Sequence, residues 1–250
     1  MVFVSMQSMS STSSSAYKLA PRGKPASQAD IHQRVYNAIV EYRLLPGTKL
    51  AEERVAELFH VSRTQVRGAL QRLAVEQLVT LIPNRGAFVT TPTAEEAHDV
   101  LETRRSMEPA VVRRLTARIA EGAQPTAIAQ LRAHTDREAE AHAKGDRRMV
   151  LRLSGDFHVL LAELSGSGMM ARMMRAMTPL TCLAILTFDA PMAAACPNDE
   201  HSRLIEAIEA GESDAAAALM VEHLHHIEHS LRLGRLPAGD EHDLAAALFG

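Results

Sequence analysis

Two sets of side chains in this sequence combine residue types and spacings that do chemistry. The first lies in the run VSRTQVRGALQRL, residues 61–73. Hydroxyls at Ser62 and Thr64 can donate to phosphate oxygens. Arg63 and Arg67 carry planar forks that match guanine O6 and N7, and Gln65 carries an amide that can read adenine. If a helix starts at Ser62, these five residues sit at its front, where free backbone amides and a partial positive charge favour a phosphate. Arg72, further along the same helix, is another candidate contact. Taken singly, each arginine fits a solvated basic face equally well. The second set is drawn from twelve histidines. His158 in GDFHVLLAELSGS, His201 in NDEHSRLIEAI and His223 in MVEHLHHIEHSL fall on three different expected helices, beside residues that would face a core. Three converging imidazoles suit a divalent cation of the Zn²⁺, Ni²⁺ or Mn²⁺ kind with positions left open for water or an acid. The bland alternative is a scatter of half-exposed helix histidines, above all in the group His223, His225, His226 and His229.

The elements that must position these residues follow from periodicity. Apolar positions Ile31, Val35, Ile39 and Val40 predict a helix over 31–42 with Asp30 as its cap, ended by the turn residues Leu45-Pro46-Gly47. A short helix over 51–59 buries Val55, Leu58 and Phe59. His60-Val61 then links it to a helix that starts at the N-cap Ser62, ends near Gln77, and buries Val66, Leu70 and Leu73. Strand-like runs at 78–82 and 87–90 flank Pro83-Asn84-Arg85-Gly86, a hairpin turn that places Arg85 at its tip. Helix, helix, tight turn, helix and hairpin in this order describe a winged helix-turn-helix. Beyond Thr93, whose hydroxyl and Glu96 form a capping box, the pattern is helical throughout. Expected helices span 93–119, 124–144, 147–165, 168–187, 198–211 and 213–232, with breaks that include Lys144-Gly145 and Cys196-Pro197-Asn198. The fold class is therefore mainly α, a winged helix-turn-helix followed by an all-α bundle. The divisions are a Ser-rich disordered arm at 1–27, a winged helix-turn-helix DNA-binding domain at 28–92, an all-helical domain at 93–235, and a tail at 236–250, which is either loose or a short docking helix.

Composition agrees with that division. The chain has 250 residues, 46% hydrophobic and 4% aromatic, with no tryptophan, which favours helix packing over a sheet-rich core. The net charge of −3 conceals a polarity: the arm has three Lys/Arg and no acid, and residues 28–92 have eight against six. The remaining sixteen Lys/Arg face twenty-four Asp/Glu. A basic front and an acidic rear fit a phosphate-binding module joined to one that avoids phosphate. Cys182 and Cys196 lie outside any metal or redox spacing and read as reduced thiols. With no apolar run long enough to span a bilayer and no export signal, a cytoplasmic protein without a membrane partner is expected.

The segment LPGTKLAEERVAELFHVSRTQVRGALQRLAVEQLVTLIPNRGAFV closely resembles the winged helix-turn-helix of the GntR regulators. The helical region behind it resembles the FCD domain of the FadR-type branch, which implies effector binding and dimerisation by residues 93–235. Matched position by position, the resemblance implies DNA contact by Ser62, Arg63, Thr64, Gln65 and Arg67 and by the wing at Arg85-Gly86. The chain departs from the family with Gln65 in place of Pro, Gly68 in place of Glu, Gln77 in place of Gly, and Glu53 where an arginine is common. For the rear domain the resemblance implies a divalent metal held by an Asp-xxx-His pair and two later histidines. His158, His201 and His223 fall at the histidine positions, while Ser154 stands where the Asp is usual. That leaves a three-histidine site completed by water, effector or Ser154, or a site without metal. Arg104 matches an arginine facing the effector cavity and suited to a carboxylate; pairing with a neighbouring Glu is the alternative.

The expected function is thus ligand-responsive transcription regulation, as a homodimeric repressor on double-stranded operator DNA, rather than enzymatic activity. Its helical domain would sense a small organic acid through a bound divalent metal. The alternatives are a metal-dependent enzyme built on the three histidines, which lacks a convincing general base, and an architectural DNA binder with an inert bundle.

Overall fold

The computed structural model describes residues 26–188, 199–231 and 243–249. Nearly all of the expected arm, the Cys196-Pro197-Asn198 break and most of the tail lie outside the described residues. In the front domain α1 is Gln28–Val40, and its cap is Ser27 rather than the expected Asp30. The Ser27 hydroxyl accepts from the Asp30 amide, and the Asp30 carboxylate accepts from the Ser27 amide at 2.8 Å. Asp30 is thus the third residue of a capping box, which starts the helix three residues earlier.

Strand β1 (Lys49–Leu50) leads into α2 (Glu52–Phe59). His60, left-handed at φ 55°, makes the tight turn to α3 (Arg63–Val75). Strands β2 (Val79–Ile82) and β3 (Gly86–Val89) form the wing, with Val79 opposite Val89 and Ile82 opposite Gly86. Asn84 (φ 61°) and Gly86 (φ 98°) take the left-handed conformations that the turn requires. The sheet order is β1-β3-β2. The third strand was not expected from sequence, because two residues are too few to show alternation. Ile31, Val35, Ile39, Val55, Val66 and Leu70 close the core of this domain, all 1% exposed or less.

Six helices build the rear domain among the described residues. They are α4 (Ala94–Ala120), α5 (Ala127–Ala143), α6 (Arg147–Leu164), α7 (Gly168–Thr187), α8 (Glu200–Glu209) and α9 (Ser213–Ser230). Thr93 and Glu96 cap α4 as expected. Helix α4 packs against α9, α7 and α6, and so forms the spine of the bundle. Helices α6 and α7 approach closely at Gly155, where a β-carbon would lie 2.6 Å from Thr178 Cγ2.

The two domains share apolar surface. Leu183 of α7 is buried in the front core, and Leu180 packs on it. A last helix, α10 (Leu244–Phe249), docks on the front domain with Leu248 fully buried. The Phe249 ring lies 5.1 Å from that of Phe59, and the Arg34 guanidinium sits 5.2 Å above it. Arg43 also donates to the Ala247 carbonyl. The tail therefore contains a docking helix.

Candidate DNA-reading face and histidine centre

The fold brings the front set of residues to one surface. Ser62, Arg63, Thr64, Gln65, Arg67, Arg72, Arg85 and Gly86 are all exposed. Ser62 caps α3 as expected, and Gln65 completes its capping box by accepting from the Ser62 amide at 3.2 Å. Gln65 is therefore tied to its own helix start. A β-carbon at the internal Gly68 would collide with the side-chain amide of Gln28.

One residue missed in the sequence bears on this face. Glu52, at the start of α2, binds Arg67 through both carboxylate oxygens, at 3.0 Å from Nε and 2.8 Å from Nη2, with Arg63 Nη2 at 3.9 Å. The hydrogen bond from Arg67 is the main cause that lowers the Glu52 carboxyl below its ordinary range. Arg72 sits 3.5 Å from Glu76, which is also bound by His32 at 2.8 Å. Arg85, at the wing tip, lies 5.8 Å over the Phe88 ring.

His158 on α6, His201 on α8 and His223 on α9 do converge, each 2–3% exposed, with ligand atoms within 4.8 Å of one another. Each ring donates its Nδ1–H to a different carboxylate. His158 bonds Glu108 at 2.5 Å, His201 bonds Glu138 at 2.9 Å and His223 bonds Glu200 at 2.6 Å. This fixes the tautomer and turns each Nε2 lone pair away from its carboxylate. The Nε2 atoms of His158 and His223 stand 3.2 Å apart, and His201 Nε2 is buried with no hydrogen-bond partner among the described residues. Phe157 stacks on His201 at 4.0 Å and helps hold the ring.

The electrostatics favour the neutral form of His158 and of His223. Burial is the main cause that pushes His158 down to about 3, and it also lowers His223. Burial alone would raise Glu108, but Arg104 and His158 outweigh it and bring the carboxyl to about 2. Arg104 is the permanently charged partner, so Glu108 stays ionised beside a neutral His158. Burial would likewise raise Glu200, and hydrogen bonds from His223 and His226 bring it to about 2. Three convergent imidazoles, each backed by a carboxylate and one with a partnerless buried Nε2, fit a divalent cation.

Arg104 is 2% exposed and does pair with a neighbouring Glu: its Nε donates to Glu108 at 2.5 Å. Its Nη1 donates to Thr181 at 3.1 Å, and its Nη2 is buried with no partner among the described residues. Arg104, Ser154, His158, Thr178 and Thr181 line one small cavity of about 10 Å³. Ser154 thus shares the His158 face, as its spacing of four residues predicts. The cavity holds one water-sized group, so a larger acid requires the helices around it to part. A larger groove of about 670 Å³ between the domains, lined in part by Gln77, Val79, Val100 and Met177, includes no predicted site residue.

The three carboxylates of the shell were not foreseen. Glu108 had a signal, being four residues beyond Arg104, and Glu200 adjoins His201. Glu138 had none, since it meets a histidine 63 residues away.

A winged helix-turn-helix followed by an all-α bundle with a buried histidine centre defines a class of DNA-binding regulators. The model of the bacterial regulatory proteins of the gntR family matches residues 27–89, and that of the FCD domain matches residues 99–226. The chain belongs to the GntR-family transcription regulators with an FCD domain. It is 25% identical over 207 residues to the HTH-type transcriptional repressor RspR of Escherichia coli K12, covering 81% of this chain and 89% of that one. The Nta operon transcriptional regulator of Aminobacter aminovorans is 32% identical over 126 residues, half of this chain and 58% of its own. A GntR transcriptional regulator from Rhodococcus sp. RHA1 superposes with a TM-score of 0.71 at 27% identity, over 84% of this chain and 99% of its own. These relatives are regulators, and nothing in them supports the enzyme alternative. Among the described residues no helix is long and apolar enough to cross a membrane.

Proposed function

We propose that this regulator is a metal-dependent sensor of a small organic acid, acting in the cytoplasm as a homodimeric repressor on palindromic operator DNA. The observation that carries the reading is the histidine centre, where three buried imidazoles give Nδ1 to carboxylates and turn bare Nε2 atoms toward one another. His158, His201 and His223 would hold the cation, which when bound supplies a Lewis-acid position for an anionic ligand. Ser154 in place of an Asp leaves the ligand set without an anionic member, which favours an acid effector as the neutralising partner. Arg104 offers the unpartnered Nη2 as the second anchor for a carboxylate. With a cavity of about 10 Å³, such an acid must move α6 or α7 to enter, and that movement is the signal to the reader. Repression is supported by the relative whose name records it. In the reader, Arg63 and Arg67 contact bases, Ser62, Thr64 and Arg72 contact phosphates, and the wing at Arg85-Gly86 contacts the backbone.

The test is metal analysis combined with a mobility-shift assay on the protein's own upstream DNA. Purified protein should carry about one equivalent of divalent metal, and stripping it should alter how the complex responds to carboxylic acids. Metal-free protein whose response to an acid survives intact would overturn the metal-centred reading.

A further inference from the structure

We propose that Glu108 is the positioning residue that joins the two halves of the sensor site, so that events at Arg104 and at the histidines are coupled through one side chain. This deepens the reading of the centre as a metal-dependent acid sensor and rests on it. The geometry is specific. One Glu108 oxygen accepts from Arg104 Nε at 2.5 Å, and the other accepts from His158 Nδ1 at 2.5 Å. Glu138 and Glu200 also hold histidines, but Glu138 meets His201 and Glu200 meets His223 and His226. Of the three carboxylates, Glu108 is the one that binds the Arg104 guanidinium.

Two consequences follow from donor and acceptor chemistry. Only an acceptor opposite Nδ1 keeps the His158 proton on Nδ1 and the lone pair on Nε2. Only an acceptor opposite Nε holds the Arg104 fork with Nη1 on Thr181 and Nη2 buried without a partner among the described residues. A carboxylate meets both demands at once. A glutamine in its place has one acceptor and one donor, so one of its two neighbours must turn. If its amide faces His158, the imidazole proton moves to Nε2 and the ring ceases to be a ligand. If its amide faces Arg104, two donors oppose each other and the guanidinium swings away. An acid that draws Arg104 out of its present position also tugs on the group that orients His158. Burial strengthens the link, because Arg104 and Glu108 are each 2% exposed and neither can trade its partner for bulk water.

The experiment uses the full-length chain, with Zn²⁺ alone as the probe, in the wild type, Glu108→Gln, Arg104→Met, the double variant and Glu138→Gln. Long-range ¹H–¹⁵N NMR of the histidine rings in metal-free protein reads the tautomers. Competition with a chromophoric chelator reads Zn²⁺ affinity. The wild type should show His158 as the Nδ1–H tautomer. Glu108→Gln should shift it toward Nε2–H and weaken Zn²⁺ binding about 10–100-fold. Arg104→Met should weaken Zn²⁺ binding several-fold in the wild-type background, yet add less than about 2-fold on top of Glu108→Gln. Glu138→Gln should weaken Zn²⁺ binding while leaving the His158 tautomer and the Arg104→Met effect in place. An unchanged His158 tautomer in Glu108→Gln, or additive effects of the two substitutions, would overturn the proposal. Should Glu108→Gln fail to fold, the His158 tautomer in Arg104→Met decides, since loss of the guanidinium should release Glu108 and broaden the ring signals. If wild-type protein binds no Zn²⁺, the metal reading fails by itself, and the metal-free tautomers still test Glu108.

Discussion

The imidazoles of His158 and His223 meet Nε2 to Nε2 at 3.2 Å, although each gives its Nδ1 proton to a carboxylate. Two lone pairs at that distance repel unless a cation or a proton lies between them, and the protein has oriented both rings from behind to bring this about. Binding energy at such a centre is also stability, because the ligand set exists only in the folded state. Zn²⁺ at about a thousand times its Kd should therefore add about 4 kcal/mol and raise Tm by about 10 °C. In His201→Ala the increment should vanish, as measured by differential scanning calorimetry with and without chelator. A Tm indifferent to Zn²⁺ in the wild type would argue against a cation at this centre.

The reader carries its own brake in Glu52, whose carboxylate accepts from Nε and Nη2 of Arg67 and faces Arg63. DNA must displace it before Arg67 can reach a base edge. Glu52→Gln should tighten binding to duplex DNA about 3–10-fold at low salt, since it removes a like charge beside the phosphates and frees a guanidinium. Arg63→Ala with Arg67→Ala should abolish specific binding. Because Arg67 holds Glu52 below the ordinary carboxylate range, the clamp stays ionised at neutral pH and loosens only as pH falls through that depressed value. Fluorescence anisotropy across a salt series reads these effects, and equal affinities for wild type and Glu52→Gln would remove Glu52 from the DNA-binding account.

How far sequence carried the structure depends on the range of each interaction. The reader was legible because its signals are local. The Ser62 cap, the turn at His60 and the Pro83-Asn84-Arg85-Gly86 hairpin each resolve within a few residues. The cap of α1 was misplaced by three residues, since Asp30 serves a capping box equally well as its first or its third member by type alone. At the sensor the three histidines were legible as helix-borne ligands, and Ser154 falls beside His158 as one helical turn requires. The carboxylate shell was not legible. Glu108 reaches His158 across 50 residues and Glu138 reaches His201 across 63, and such pairings arise only when α4, α5, α6 and α8 pack. The size of the cavity at Arg104 was hidden for the same reason.

Gln77 shows where this chain departs from its family at a cost. It follows α3 with φ 61°, the left-handed conformation in which a β-carbon is strained and glycine is at ease. Its side chain is exposed. Gln77→Gly should stabilise the front domain by about 0.5–1 kcal/mol after the added chain entropy is counted, raising Tm by about 2 °C. A lower Tm would mean that the Gln77 side chain supports the wing more than its backbone strains the turn.

The last prediction concerns α10, which lies beyond both family matches and yet completes the front core. Leu248 is fully buried there, Phe249 packs on Phe59 beneath Arg34, and Arg43 holds the Ala247 carbonyl. The packing of α10 on the front domain adds to the contacts that Leu183 and Leu180 of α7 make with the same core. Removing residues 243–250 uncovers an apolar seat on α1 and α2 and strips the Arg43 guanidinium of one acceptor. Burial of one leucine is worth about 1.5–3 kcal/mol, and ordering a short helix offsets part of it. Truncation should therefore cost about 2 kcal/mol, lower Tm by about 5 °C, and speed proteolysis within the front domain while leaving Zn²⁺ affinity unchanged. Leu248→Asp in the full chain should reproduce the loss, because burying a carboxylate in that apolar seat costs more than the leucine gains there. If truncation and Leu248→Asp both leave Tm and the proteolysis rate as they are, α10 does not hold the reader in solution.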